Sequence, residues 1–394
     1  MLSRVLRRLL DLLLLLLGLS TLLFFLLRAT GDPVSAMAGE DADEETVQAL
    51  RIQYGFDRPV GWQLVAHVQN LLLGEFGVSL TSGRAAMDMV LAALPATLLL
   101  AALAMSLTIL IAIPVGAWLG AAPKSAARTL SAALVYVLQG TPGFVVALIL
   151  VQLLAIQANV VPALGFAGPE TWILPAVSLS LFLAPKLARV VQVNLMHALR
   201  QDFVRAARAS GASPSEVLWR HALPNALIGA AALMGTQFAA LIGGSVIIET
   251  IFAWPGLGLL LVQSSLTLDF PVIQAAAIVV AMLVFVANAL TDIFFVILDP
   301  RIRSRVSLSM VVVAVVGAAA IAFLLWDTPS APVNLGRRLT APGADAWLGT
   351  DQLGRDLGNR LLMGAPWSLG VAFAATLIAA ILGIAVGLAA GEFD

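Results

Sequence analysis

An all-α polytopic membrane protein is the fold class this sequence predicts, on three observations. Residues are 60 % hydrophobic and only 11 % charged, against about 25 % charged in soluble domains. The mean hydropathy of +0.97 leaves too little polar surface for a water-soluble body. Apolar stretches long enough to cross a bilayer, about 20 helical residues for a hydrocarbon core of about 30 Å, recur eight times along the 394 residues.

The first stretch, 9–27, follows Arg4, Arg7 and Arg8. It is longer than a signal-peptide core of roughly 7–15 residues, and Arg28 separates it from the small-residue site Ala36-Met37-Ala38, so it reads as a retained anchor. An external segment, about 29–93, comes next. It holds nine acids (Asp32, Glu40, Asp41, Asp43, Glu44, Glu45, Asp57, Glu75, Asp88) against Arg51, Arg58 and Arg84. Five further spans are expected at 94–121, 129–157, 173–195, 226–250 and 273–298. The polar run Asp299-Pro300-Arg301-Ile302-Arg303-Ser304-Arg305 closes this 1+5 unit.

The rhythm then restarts with a span at 308–326, an external stretch of about 40 residues and a span at 368–391. Anchor, external loop and helix return in the same order, which points to a first domain at 1–305 and the N-terminal part of a second at 306–394. A single eight-span bundle is the other reading. In the last span, Gly383, Gly387 and Gly391 recur at the spacing that lets helices approach closely.

Lysine and arginine set the orientation. With the N-terminus inside, Arg4, Arg7, Arg8, Lys124, Arg128, Lys186, Arg189, Arg200, Arg205, Arg208, Arg220, Arg301, Arg303 and Arg305 lie on the cytoplasmic side, fourteen of 22 basic residues. Both termini then face the cytoplasm.

Several function classes fall away. A net charge of −1 offers no clustered basic face for nucleic acid. Without cysteine there is no thiolate metal site or disulfide, and His67, His197 and His221 are too scattered for a histidine site. Gly120-Ala121-Ala122-Pro123-Lys124-Ser125 lacks the glycine that a phosphate-binding loop needs before its lysine. ATP chemistry is therefore expected on another polypeptide.

Between the fourth and fifth of these spans, about 200–224, the chain is built differently. Asp202 can open a short helix rich in alanine and arginine, and Gly211 can end it in the left-handed conformation. Ser213 with Glu216 forms a capping box, and Pro214 sits at the first helical position. Pro224 is expected to stop the second helix. The product is a rigid cytoplasmic elbow with small residues where another protein's surface can close in.

Here the sequence resembles the permeases of ATP-binding-cassette importers, whose cytoplasmic loop follows the pattern E-A-A-x₃-G-x₉-I-x-L-P. Ala206, Ala207, Gly211, Leu223 and Pro224 fall at those spacings, with Arg205 at the glutamate position and His221 at the isoleucine position. Both replacements resemble the dipeptide, oligopeptide and nickel branch. So do Arg28-Ala29-Thr30-Gly31-Asp32-Pro33, Gly74-Glu75-Phe76-Gly77-Val78-Ser79-Leu80 and Glu249-Thr250-Ile251-Phe252-Ala253-Trp254-Pro255-Gly256-Leu257-Gly258. The tail, from Leu348-Gly349-Thr350-Asp351 to Gly354-Arg355-Asp356, resembles the opening of the partner permease, so the chain looks like a fusion whose second member is incomplete.

The resemblance implies a type I importer transmembrane domain of 1+5 helices in a bacterial inner membrane. It implies an external solute-binding protein, a second permease domain or subunit, and two ATPase subunits that use ATP and magnesium; no cofactor is expected on this chain. Coupling is expected at Arg205, Ala206, Ala207, Gly211, Glu216, Leu223 and Pro224. Gln139, Asn194, Gln237, Asn288 and Asp292 are candidates for the pathway, since polar groups within spans are costly. Lys186 is read as snorkelling near the cytoplasmic end, and Glu249 and Asp269 as solvated acids on the outer face. The alternatives are a gradient-driven carrier or channel without an ATPase, with Asp292 as its intramembrane acid, and an inactive truncated permease fragment.

Overall fold

The computed structural model describes residues 2–30, 34, 38, 43–53, 55–121, 125–298, 335–343 and 346–360. The chain divides into two compact units, Gly31–Ser304 and Met1–Thr30 with Arg305–Asp394. The described residues hold helices and three isolated bridges, with no strand. The spans expected at 308–326 and 368–391 lie outside the described residues.

In the smaller unit, α1 (Leu2–Thr30) is one continuous helix. Residues 335–343 and 346–360 form a turn-rich segment organised by Asp351. The Asp351 carboxylate accepts from the backbone N–H groups of Leu353 and Arg355 at 2.9 Å each, and pairs with Arg355 and Arg360 at 2.8 and 2.7 Å. Desolvation opposes its ionisation, but these bonds and the Arg355 charge prevail and bring its pKa down to about 2.

The larger unit begins with two short helices, α2 (Glu44–Gln53) and α3 (Val60–Leu73). Asp43 caps α2 by accepting from the Thr46 N–H at 3.1 Å; this bonding lowers its pKa. The helices that follow are α4 (Ala86–Ala121), α5 (Ala126–Gly140), α6 (Gly143–Leu150, prolonged by a π turn to Gln157), α7 (Pro169–Ala198), α8 (Asp202–Ala209), α9 (Pro214–Gly244), α10 (Val246–Ile251), α11 (Leu257–Leu266) and α12 (Phe270–Leu298). Four of them, α4, α7, α9 and α12, are each long and apolar enough to cross a membrane.

Three expectations about these elements need correcting. The span expected at 129–157 is a pair of helices bent by 107°. Pro142 has no N–H to continue α5 and instead opens α6, so the break falls at Thr141-Pro142. Nor does Pro224 stop a helix, for α9 runs through it. A π turn over Val217–Ala222 widens the coil just ahead of the proline, and the Asn225 side chain donates to the His221 carbonyl at 2.7 Å. The span expected at 226–250 ends at Gly244, where α10 starts after Ser245.

Helix α7 is the centre of the unit, packed on α4 along its length and flanked by α9, α6 and α5. Its outer half, with Leu174, Leu179 and Leu183, shares a core with Leu100 and Ala104 of α4 and with Phe252 and Trp254 beyond α10. Its inner half, with Leu187, Val191 and Leu195, shares a second core with Val204, Val217, Ala222 and Leu223. The elbow is thus fastened to the inner end of the bundle by apolar burial.

Candidate functional site

The elbow is made by α8 and the start of α9. Gly211 takes a φ of +88° at the corner, a region that costs other L-residues about 1–2 kcal/mol, and open space surrounds it. Ser213 caps α9, its hydroxyl accepting from the Glu216 N–H at 3.2 Å. Arg205 pairs with Asp202 at 3.1 Å and Glu216 with Arg220 at 3.3 Å; both pairs are exposed and hold the elbow only weakly.

Burial divides the expected coupling residues. Leu223 is buried in the inner core and Ala207 is half-buried against it. Arg205, Ala206, Gly211, Glu216 and Pro224 are exposed. Beside them lie two aromatic side chains that the spacing argument passed over, Phe203 at 40 % and Trp219 at 56 % exposure. Their signal was legible, as the two aromatics of an otherwise alanine- and arginine-rich loop. Large aromatics around a small-residue surface suit a protein–protein contact.

The pathway candidates have different surroundings. Asn194 donates to the Ala226 carbonyl at 3.1 Å and ties α7 to α9. Gln237, buried on α9, donates to the Leu183 carbonyl at 3.4 Å, and its side-chain oxygen has no partner. Gln139 is exposed on α5 and Asn288 is half-buried on α12. The side chain of Asp292 lies outside the described residues.

Glu249 and Asp269 are not solvated: they are 0 and 1 % exposed. Glu249 accepts from the Thr97 and Ser245 hydroxyls at 2.9 and 2.8 Å and from the N–H groups of Gly258 and Leu259 at 2.7 and 3.2 Å. Those N–H groups open α11, so the carboxylate caps a helix from outside its sequence. Close approach requires glycine, because a Cβ at Gly256 would lie 2.4 Å from Glu249 Oε2 and one at Gly258 2.5 Å from Val246 Cα. Trp254 completes the clamp by donating to the Ala96 carbonyl at 2.9 Å. Asp269, just ahead of α12, accepts from Ser79, Leu80 and Thr81 at 2.5, 3.1 and 3.0 Å.

A family model described as "Binding-protein-dependent transport system inner membrane component" matches residues 112–304, and the N-terminal model of the same system matches 1–101. The glutathione transport system permease protein GsiC of Escherichia coli strain K12 is 32 % identical over 310 residues, 77 % of this chain and 100 % of that relative. The chain belongs to this permease family. GsiC of Salmonella choleraesuis matches equally, at 32 % over 310 residues. Among solved structures, a chain of the MetNI methionine ABC transporter in an inward-facing conformation aligns with a TM-score of 0.47 and 20 % identity, covering 54 % of this chain and 97 % of that one. A chain of an amino acid ABC transporter aligns with a TM-score of 0.44 and 19 % identity, covering 53 and 93 %. The permease is a multi-pass membrane protein, and α7, the elbow, α9 and α12 fall within residues 112–304 of the match.

Proposed function

We propose that this permease forms the translocation path of an ATP-driven importer in a bacterial inner membrane, with its N-terminus cytoplasmic. It carries peptides or related small solutes; the likeness to permeases named for glutathione supports a short, peptide-like solute. An external solute-binding protein delivers the solute, and two ATPase subunits, which bind the ATP and magnesium, close beneath. A second permease domain or subunit completes the path, and 306–394 is the opening part of such a domain.

One observation carries the coupling role: the elbow presents Ala206, Gly211, Phe203 and Trp219 outward while Val204, Val217 and Leu223 root it in the inner core. Force applied to its exposed face passes directly to α7 and α9, tilting them and alternating access to the path. Gly211→Asp tests this. Open space at the corner means that the side chain clashes with nothing inside the chain, while the left-handed φ and the new charge disturb the docking face. Tagged permease is drawn from native membranes in mild detergent and its companions identified by mass spectrometry. ATP-binding-cassette ATPases are expected with the wild type and lost with Gly211→Asp at unchanged insertion. Normal solute-stimulated ATPase activity in the variant would sink the assignment and favour a carrier that works without an ATPase.

A further inference from the structure

A cavity of about 90 Å³ opens between α3 and the start of α12. His67, Asn70 and Leu71 line it from one face of α3, at helical spacings of three and four. At Gly74 the chain turns back through a φ of +76°, and Glu75 and Phe76 form the next wall. Gly77 closes up against α12, where a Cβ on it would lie 3.9 Å from Pro271 Cβ. Phe76 is rooted in a core shared with Ala86 and Val90 of α4 and Val272 and Ala275 of α12. The elbow lies at the other end of the bundle: α9 leaves it and runs 31 residues to Gly244, and α10 and α11 fill the return to Phe270.

Gln274 supplies the decisive feature. It is only 9 % exposed and lines the cavity, and its amide has no hydrogen-bond partner among the described residues. Buried amides are seldom left unpaired, so the cavity is suited to a group that pairs with it. At the mouth, the exposed Glu75 carboxylate is in no ion pair and the exposed Asn70 side chain is unbonded, again among the described residues. No lysine or arginine lines the cavity. One carboxylate and two amide oxygens thus converge as acceptors. A primary ammonium has three N–H donors and no acceptor, so three such oxygens saturate it. Leu71 and Phe76 offer an apolar wall to the carbons behind it. The volume exceeds the roughly 10–15 Å³ that one water needs, which leaves room for a short stem. A divalent metal ion fits worse, because among the described residues no three histidine or carboxylate groups are placed to hold one.

Resting on the permease reading, we propose that this cavity receives a primary ammonium group on a short apolar stem, at the end of the bundle where an importer takes up its solute. Glu75 supplies the charge, Gln274 and Asn70 take the remaining N–H donors, and Leu71 and Phe76 pack on the stem. The amino end of a peptide-like solute carries this chemistry, and so does a lysine of an external solute-binding protein. A quaternary ammonium, which has no N–H, and an alcohol, which has no charge, are poor substitutes.

The test uses the purified chain in mild detergent, titrated with n-propylammonium, trimethylpropylammonium and n-propanol, with binding followed by saturation-transfer NMR. Propylammonium is expected to bind at least about tenfold more tightly than the other two, the margin that charge-assisted hydrogen bonding gives. Glu75→Gln and Gln274→Leu should each weaken it several-fold. Neither side chain has an internal hydrogen bond to lose, so both variants keep their fold. Equal binding of the three probes, binding of none, or propylammonium binding unmoved by both variants would overturn the proposal. Competition separates the two sources. Displacement of propylammonium by trialanine, and not by N-acetyl-trialanine, assigns the ammonium to the solute. Stronger displacement by Nα-acetyl-lysine amide assigns it to a lysine of the docking protein, and displacement by neither overturns the site. These probes need no ATPase, so loss of this site and loss of the importer reading in the pull-down are separable.

Discussion

Replacing Glu249 probes whether the α10–α11 clamp is held by charge or by hydrogen-bond geometry. Glu249→Gln preserves shape. Its oxygen can turn to the fixed N–H donors of Gly258 and Leu259, and its NH₂ can donate to the Thr97 and Ser245 hydroxyls, which rotate to accept. What is lost is charge assistance, the difference between bonds of about 1.5–3 kcal/mol and neutral ones of about 0.5–1.5 kcal/mol. A cost of about 1–3 kcal/mol follows. Glu249→Ala strands two buried N–H groups at about 1–3 kcal/mol each and leaves a void. Its cost is about 3–6 kcal/mol. At about 2–4 °C per kcal/mol for a unit of this size, the apparent Tm should fall by about 2–12 °C for Gln and by about 6–24 °C for Ala, read at one scan rate on protein in mild detergent. Equal losses for both would show that the charge alone matters. No loss for Ala would show that the carboxylate does not hold the clamp.

Asp269→Ala should free the turn at Ser79–Thr81, whose fold also uses the Ser79 N–H to Arg84 carbonyl bond at 2.7 Å. Losing a bond to a charged group, at about 1.5–3 kcal/mol, predicts tryptic cleavage after Arg84 at least about tenfold faster; Asp269→Asn should show a smaller gain, and unchanged cleavage in Ala would refute the tie. For Asp351 the folded pKa of about 2 lies below the ordinary 3.8. Its contribution is therefore complete above about pH 4 and lost as pH falls through about 2, so amide protection at Leu353 and Arg355, corrected for intrinsic exchange, should disappear over that window. Protection retained below pH 2, or already lost in wild type at pH 5, would contradict the assignment.

Much of this was legible in sequence because apolar length and proline–glycine punctuation are local signals. The turn at Gly211 and the cap at Ser213 follow from residues within a few positions of one another. What escaped detection depends on distance along the chain. Glu249 reads as an outer-face acid until Thr97 is brought against it from 152 residues away, and Asp269 until Ser79 arrives from 190. Pro224 reads as a stop because the π turn that absorbs it leaves no compositional trace.

The two cores on α7 meet at Leu183–Ala184, beside Pro185, and this placement bears on how an elbow at one end could act on a clamp at the other. Leu183 belongs to the outer core and Leu187 to the inner one. Pro185 has no N–H for the carbonyl four residues back, so the helical ladder is weakest between them, while Gln237 reaches across from α9 to the Leu183 carbonyl. On the proposed coupling, a push on the elbow would move Leu187, Val191 and Leu195 as one body, the Glu249 and Trp254 clamp would hold the outer body still, and the bend would be taken up at Pro185. Pro185→Ala restores the missing bond and stiffens the junction. ATPase co-purification should therefore persist while solute-stimulated ATP hydrolysis falls several-fold. A variant as fast as wild type would show that α7 moves as a single rod and that the elbow reaches the outer clamp without bending it.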